Sequence, residues 1–419
     1  MYTPHGDRRP SRERIRVRLR AEQLARDEQD VEFLELVAEL RDDDEWWPHL
    51  WGPSAAVAAS RVGRVGAVDF LASAIAAGFS QPELFEGVLE EHFGADPIWP
   101  DLVAQMAANV PPPTLELLEW PDPTPELPLE LYAIAPERVD ALRGRLPAPK
   151  ESAWETATML LRWVRTRWDH ANDHVDDPDA LEVLDRVDAG ERFACVEYTI
   201  VLSQALNALG IPARRVDLRQ RNHHVGIGRG HVVSEAWIDD LDRWVILDGQ
   251  NASYWASGDG EPLGLLSLQR AHAIAGPGAL MVGLADEMSE LQSTNWSSYF
   301  ASATTTGYGW ADAGFSPIFQ GISITKTSRL LHDGNFAYPD LSTISIGLTG
   351  TVVEPAVRLH THHPYANGFH VAEGDTSWEV GIDDPRWGLS TSPGHHEVAI
   401  ATRTTYGTTR PCALIYDIR

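Results

Sequence analysis

The stretch CVEYTIVLSQALNALGIPAR, residues 195–214, decides how this chain is read. Its apolar positions Ile200, Leu202, Leu206 and Leu209 fit a helix over residues 196–209, and Gly210 is a natural C-cap that closes it. Cys195 therefore stands at the helix N-terminus. There the unpaired N–H groups and the positive end of the macrodipole favour an anion, so a thiolate is stabilised. The same groups favour the oxyanion formed when that thiolate attacks a carbonyl. Taken alone, a cysteine on a helix is more often a small buried hydrophobe. A histidine and an aspartate downstream in the chain reverse that balance.

After Ile211 to Arg214, the run Val216 to Leu218 reads as a strand, and HVVSEAWI, residues 231–238, alternates. Val232, Ser234, Ala236 and Ile238 share one face, and His231, Val233, Glu235 and Trp237 share the other. A turn over residues 239–243 leads into the apolar strand Trp244 to Leu247, which ends at Asp248. In an antiparallel pair the start of one strand lies near the end of the next, so His231 and Asp248 are expected as neighbours. A thiol near neutral pH is mostly protonated, and an adjacent imidazole converts it to the nucleophilic ion. A carboxylate behind the imidazole fixes its tautomer and stabilises its cation.

Cys195 opening a helix, the segment Gly210-Ile211-Pro212-Ala213-Arg214, the HVVSEAW run at 231–237 and WVILD at 244–248 together resemble the transglutaminase-like superfamily, over roughly Glu151 to Tyr254. The resemblance implies an α+β, papain-like domain with a helix packed on antiparallel sheet. It implies Cys195 as nucleophile, His231 as general base and acid, and Asp248 as orienter, with no metal and no cofactor. One departure stands out: the family often has a glycine close to the nucleophile, whereas here Gly190 lies five positions ahead, with Glu191 to Ala194 between. An upstream side chain often completes the oxyanion hole in such folds, and Trp168 and Asn172 are the two candidates.

Outward from this centre, residues 151–320 are expected to form the catalytic domain, entered by a buried helix with Trp154, Ala157, Leu161, Val164 and Trp168 on one face. Residues 1–110 read as mainly helical. Residues 11–40 show apolar Leu24, Val31, Leu34 and Val37 at helical spacing, residues 55–78 are Ala-rich, and residues 81–93 are amphipathic behind Ser80 as a cap. Prolines crowd residues 111–150, which are expected as a linker. Residues 321–419 carry short Thr/Val/Ile runs punctuated by turns and read as a β-sandwich.

With 419 residues, 43% hydrophobic and 23% charged, the chain has material for more than one core. A formal net charge of −27 repels nucleic acid and anionic membrane surfaces. Met1 to Arg20 lacks the apolar run of a signal peptide, and no stretch of about eighteen apolar residues occurs, so a cytoplasmic protein is expected. Two cysteines, Cys195 and Cys412, exclude a disulfide framework, and Cys412 reads as structural. His223 and His224 in a glycine-rich loop read as exposed hairpin residues. His360, His362, His363, His370, His395 and His396 match no metal spacing. Tyr308 and Trp310, within Gly307 to Gly314, read as packing or as a cleft-shaping loop, and the Trp-rich run at 46–51 reads as core. The expected activity is cysteine-dependent acyl transfer or hydrolysis at amide bonds of a protein or peptide substrate, through a thioester on Cys195. The alternative is an inactive scaffold of the same fold that binds proteins or peptides.

Overall fold

Backbone breaks cut the N-terminal third into short helices. The computed structural model describes residues 12–38, 46–80, 85, 87–109, 115–121, 129–220, 230–275, 280–284, 297–305, 308–310, 329–351 and 354–419. The chain divides into two units, Met1–Pro113 and Thr114–Arg419. In the first, the single helix expected over 11–40 is two, α1 (Arg12–Arg26) and α2 (Asp30–Ala38), parted where Glu28 adopts a φ of 53°. The break re-phases the second helix. Val31, expected on the apolar stripe, is 57% exposed, while Leu24, Leu34 and Val37 are buried. Gly63 and Gly66, both at positive φ, divide the Ala-rich run into α3 (Gly52–Arg61) and α4 (Ala67–Ala76). Helices α5 (Val88–Phe93) and α6 (Trp99–Asn109) come next, and residues 81–84, where the Ser80 cap would act, lie outside the described residues. Trp47 and Trp51 are core, as expected, whereas Trp46 is partly exposed beneath the Arg18 guanidinium.

In the second unit, the stretch expected as a linker carries structure. Residues 115–119 form strand β1 (Leu115–Glu119), and α7 (Val139–Arg143) lies further along it. Helix α8 (Ala153–Arg165) is capped by the Ser152 hydroxyl and buries Ala157, Leu161 and Val164. Helix α9 (Ala180–Asp188) starts on a capping box between Asp179 and Glu182. Helix α10 (Cys195–Ala208) is buried on every side from Glu197 onward, which makes it the central helix of the unit. Its polar side chains are consequently all bonded. Thr199 donates to the Val232 carbonyl (2.9 Å), Ser203 meets Ser234 (2.8 Å), Gln204 accepts from the Ala180 N–H (2.7 Å), and Asn207 brackets Ala213. These bonds set the helix at one height on the sheet.

That sheet comprises β2 (Ala213–Arg219), β3 (Gly230–Ile238), β4 (Arg243–Asp248), β5 (Ser253–Ala256), β6 (Leu280–Gly283), β7 (Ser302–Thr305), β8 (Tyr308–Trp310) and β9 (Arg329–Leu331), in the order β6-β5-β4-β3-β2-β7-β8-β9. One face, with Ala213, Ala236, Val245 and Leu247, packs on the cluster built by α8, α9 and α10. The other, with Val216, Val233 and Ile246, packs on α11 (Leu265–Ala275), Phe300 and Trp310.

Two antiparallel sheets complete the unit. Strands β10 (Ile344–Gly350), β11 (Pro355–Thr361), β12 (Gly368–Glu373), β13 (Thr376–Gly381), β14 (Arg386–Gly388), β15 (Gly394–Thr404), β16 (Gly407–Thr408) and β17 (Cys412–Ile418) form the paths β10-β11-β14 and β1-β17-β15-β12-β13, with β16 on β15. Ile344, Val357 and Leu359 from one sheet share a buried cluster with Phe369, Val371, Ile400 and Tyr416 from the other. The edge strand β1 joins this core through Leu115 and Leu117. A strand at a sheet edge tolerates proline nearby, which is why a proline-rich stretch can supply one. The sheets are tied to the far ends of β3 and α10. Asp239 accepts from His363 (3.1 Å) and Thr404 (2.7 Å), and the Tyr365 and Tyr406 hydroxyls donate to Asn207 (2.8 Å) and to the Leu209 carbonyl (2.9 Å). Among the described residues, no helix is long and apolar enough to cross a membrane.

Candidate active site

The register between β3 and β4 pairs Glu235 with Ile246 and Ser234 with Leu247. Continued by one residue, it sets Asp248 opposite Val233, on the same face as His231 and diagonal to it. The two side chains meet there, His231 Nε2 lying 2.8 Å from Asp248 Oδ2. His231 is 4% exposed and Asp248 fully buried. A buried carboxylate needs several donors, and Asn251 supplies two more. Its backbone N–H donates to Oδ1 (3.1 Å) and its Nδ2 to Oδ2 (2.8 Å).

Cys195 is the first residue of α10. Its N-cap, Ala194, is extended and offers no side-chain cap, so no capping side chain consumes the first-turn N–H groups. Two sets of bonds hold this helix end. The Thr199 bond to Val232 fastens the first turns beside His231. Ala171 N–H donates to the Phe193 carbonyl (3.1 Å) and Ala194 N–H to the Asp173 carbonyl (3.3 Å), which lays residues 171–173 along 193–194. Cys195 is partly exposed, at the helix end beside His231, and is one of the groups that raise the His231 pKa. With Nε2 directed at Asp248, it is Nδ1 that would serve the thiol.

Burial is the largest single influence on His231 and pulls its pKa down. The Asp248 charge and hydrogen bond, with the contribution of Cys195, outweigh it and raise the ring to about 10. The balance favours the imidazolium form of His231 in the folded chain. The three residues singled out in the sequence are brought together.

The other sequence candidates separate. Gly190, at φ 94°, closes α9: its N–H donates to Val187 and that of Glu191 to Arg186. The glycine absent from beside Cys195 is not needed, because Ala194 has a φ of −92° that any residue adopts. The Trp168 indole N–H is spent on the Phe193 carbonyl (3.3 Å), and its ring stacks on Tyr198. Asn172 is exposed, within the segment laid beside Ala194. Burial pushes the Cys412 thiol up to about 11. His370 and His395 pair with their cross-strand partners Glu379 and Asp417, His396 pairs with Glu373, and His363 with Asp239. Among the described residues, no group of three or more His, Cys, Asp or Glu side chains could hold a metal. Trp310 and Tyr308 are buried, Trp310 donating to Gln269 (2.9 Å), while Gly307 and residues 311–314 lie outside the described residues, as do His223 and His224.

Two features of the site escaped the sequence reading. Asn251 is one, and its only signal is a polar residue in the turn just after the strand that ends at Asp248. The other is the buried ion pair between Arg214 and Glu235 (2.7 Å), whose guanidinium lies between the rings of Trp244 and Tyr338. Glu235 also accepts from the Leu265 N–H (2.8 Å) at the start of α11, so the pair joins β2, β3 and α11 on the His231 face.

No curated protein matches the chain. A family model does match: the segment 140–249, which contains Cys195, His231 and Asp248, is similar to the transglutaminase-like superfamily.

Proposed function

We propose that this domain is a cysteine-dependent enzyme acting on amide bonds, with Cys195 as nucleophile, His231 as acid and base, and Asp248 as orienter. The observation that carries the reading is the buried His231–Asp248 pair, 2.8 Å apart, with Cys195 at a helix N-terminus and in electrostatic reach of the same imidazole. The Cys195 thiolate attacks the carbonyl carbon of a protein or peptide amide, and the carbonyl oxygen gains the negative charge. First-turn N–H groups of α10 stabilise that charge, with Asn172, in the segment laid beside Ala194, as the side-chain donor. Collapse breaks the C–N bond, and His231 hands its proton to the departing amine. The product is a thioester on Cys195.

Water resolves the thioester with His231 as general base, giving a protease, amidase or deamidase, whereas an amine gives a cross-link. Hydrolysis is our working outcome. The paired sheets of the C-terminal region are read as a β-sandwich bracing α10 and β3 from behind, and a reducing, cytoplasmic setting suits the two free cysteines. The reading is tested by incubating the protein with a glutamine-rich peptide pool, quenching in acid and searching for an acylated Cys195 by mass spectrometry. An adduct that hydroxylamine removes, and that Asp248→Ala and His231→Ala fail to form, is expected. Absence of any adduct on Cys195 across peptide and small-amide pools would reverse it in favour of a binding scaffold. Product masses then separate the outcomes: hydrolysis yields free acid, and cross-linking incorporates an added amine.

A further inference from the structure

We propose that Asn251 is a positioning residue for the reaction above, holding the Asp248 carboxylate in the orientation that aims His231 at Cys195; the inference rests on that reading of the site. Both donors of Asn251 end on one carboxylate, the backbone N–H on Oδ1 and the side-chain amide on Oδ2. Oδ2 is the oxygen that also meets His231 Nε2. The terminal torsion of an aspartate is soft, so burial alone does not fix the plane in which its two equivalent oxygens lie. Two donors from one residue, one on each oxygen, do fix it.

The turn that presents Asn251 is itself held on several sides. Asn251 is 9% exposed and its neighbour Ala252 is fully buried. Ala252 adopts a left-handed φ of 44°, which a side chain disfavours and which persists only where surrounding contacts impose it. Leu284 N–H donates to the Ala252 carbonyl (2.8 Å). At the other end of the turn, a Cβ on Gly249 would come within 3.3 Å of the Tyr198 carbonyl and 3.4 Å of Leu202, so the turn lies flush against α10. The helix that carries Cys195 and the turn that orients Asp248 are thus packed on each other, and Asn251 converts that packing into the direction of a ring nitrogen.

The test measures the alkylation of Cys195 by iodoacetamide, with Cys412 in the same molecule as reference, in wild type, Asn251→Ala and the isosteric Asn251→Asp. Thermal melts report folding. At neutral pH, Asn251→Ala is expected to slow Cys195 about 10- to 100-fold, the size of a lost charge-assisted hydrogen bond. Asn251→Asp is expected to slow it at least as much, because it sets a second carboxylate against Asp248. Its deficit relative to wild type should shrink below about pH 5, where a protonated carboxyl regains a donor. A structural role alone would not produce that recovery. If Cys195 is fast and His231-dependent in wild type but both folded variants match it at every pH, the positioning role is overturned and the enzyme reading stands. If wild-type Cys195 is no faster than Cys412, the enzyme reading fails and takes this inference with it.

Discussion

Replacing Asp248 by asparagine isolates what the carboxylate does, because the shape is kept and the charge is not. A carboxamide offers one oxygen. If that oxygen faces His231 and the Asn251 side chain, its own NH2 group faces the Asn251 backbone N–H, and one of the three bonds is lost. The larger effect falls on the imidazole. In wild type the Asp248 charge and hydrogen bond are the foremost influences opposing burial, and together with Cys195 they raise His231 to about 10. Without them burial is opposed only by Cys195, and the ring should titrate near its ordinary value of about 6.5 or lower. At pH 7.5 the imidazolium-to-imidazole ratio then drops from about 300:1 to about 1:10. The assay is 15N NMR of ring-labelled histidine between pH 5 and 11, with the His231 signal assigned by its loss in His231→Gln. A His231 that still binds its proton up to about pH 10 in Asp248→Asn would mean that something other than Asp248 holds the charge.

The same shift sets a dependence of stability on pH. His231 takes up its proton more readily in the folded chain than in the unfolded one, so its contribution is complete below about pH 6.5 and is lost as the pH rises through about 10, on the order of 5 kcal/mol in all. Urea titrations should therefore find His231→Gln markedly more destabilising at pH 6 than at pH 10.5, and an equal penalty at both would contradict the sign. Arg214→Met leaves Glu235 buried without its cation and should cost about 3–5 kcal/mol, read as a lowered Tm. Adding Glu235→Gln should recover part of that loss, and no recovery would mean that the charge is not the cause.

Local pattern carried most of what was legible. Gly210 ends α10 with a φ of 85°, as its C-cap reading requires, and the alternation over 231–238 gives both the strand and the side on which His231 falls. Periodicity alone made the buried face of α8 legible at Ala157, Leu161 and Val164, whereas the break at Glu28 had no turn chemistry to announce it. What stayed hidden depends on long-range pairing. Leu115 faces Ile418 and Leu117 faces Tyr416 across almost the whole unit, and nothing in a five-residue run flanked by prolines names its partner. The bond from Tyr365 to Asn207 and the pairing of His363 with Asp239 are equally remote. Asn251 stayed hidden for a different reason: an asparagine in a turn ordinarily serves the turn, and here both of its donors leave it for the carboxylate.

Whether His231 activates Cys195 can be read from competition between the two cysteines of one molecule. At pH 7 a thiol held at about 11 is ionised to about one part in ten thousand, so Cys412 serves as the slow reference. Iodoacetamide at limiting dose, with peptide mass spectrometry as the readout, gives the ratio of the two alkylation rates in wild type and in His231→Ala. If His231 activates the thiol, Cys195 leads in wild type by more than the roughly 300-fold that ionisation alone gives an ordinary thiol of about 8.5 over Cys412, and His231→Ala removes the excess. A wild-type lead no larger than that, or one that His231→Ala leaves unchanged, would show that His231 does not activate it.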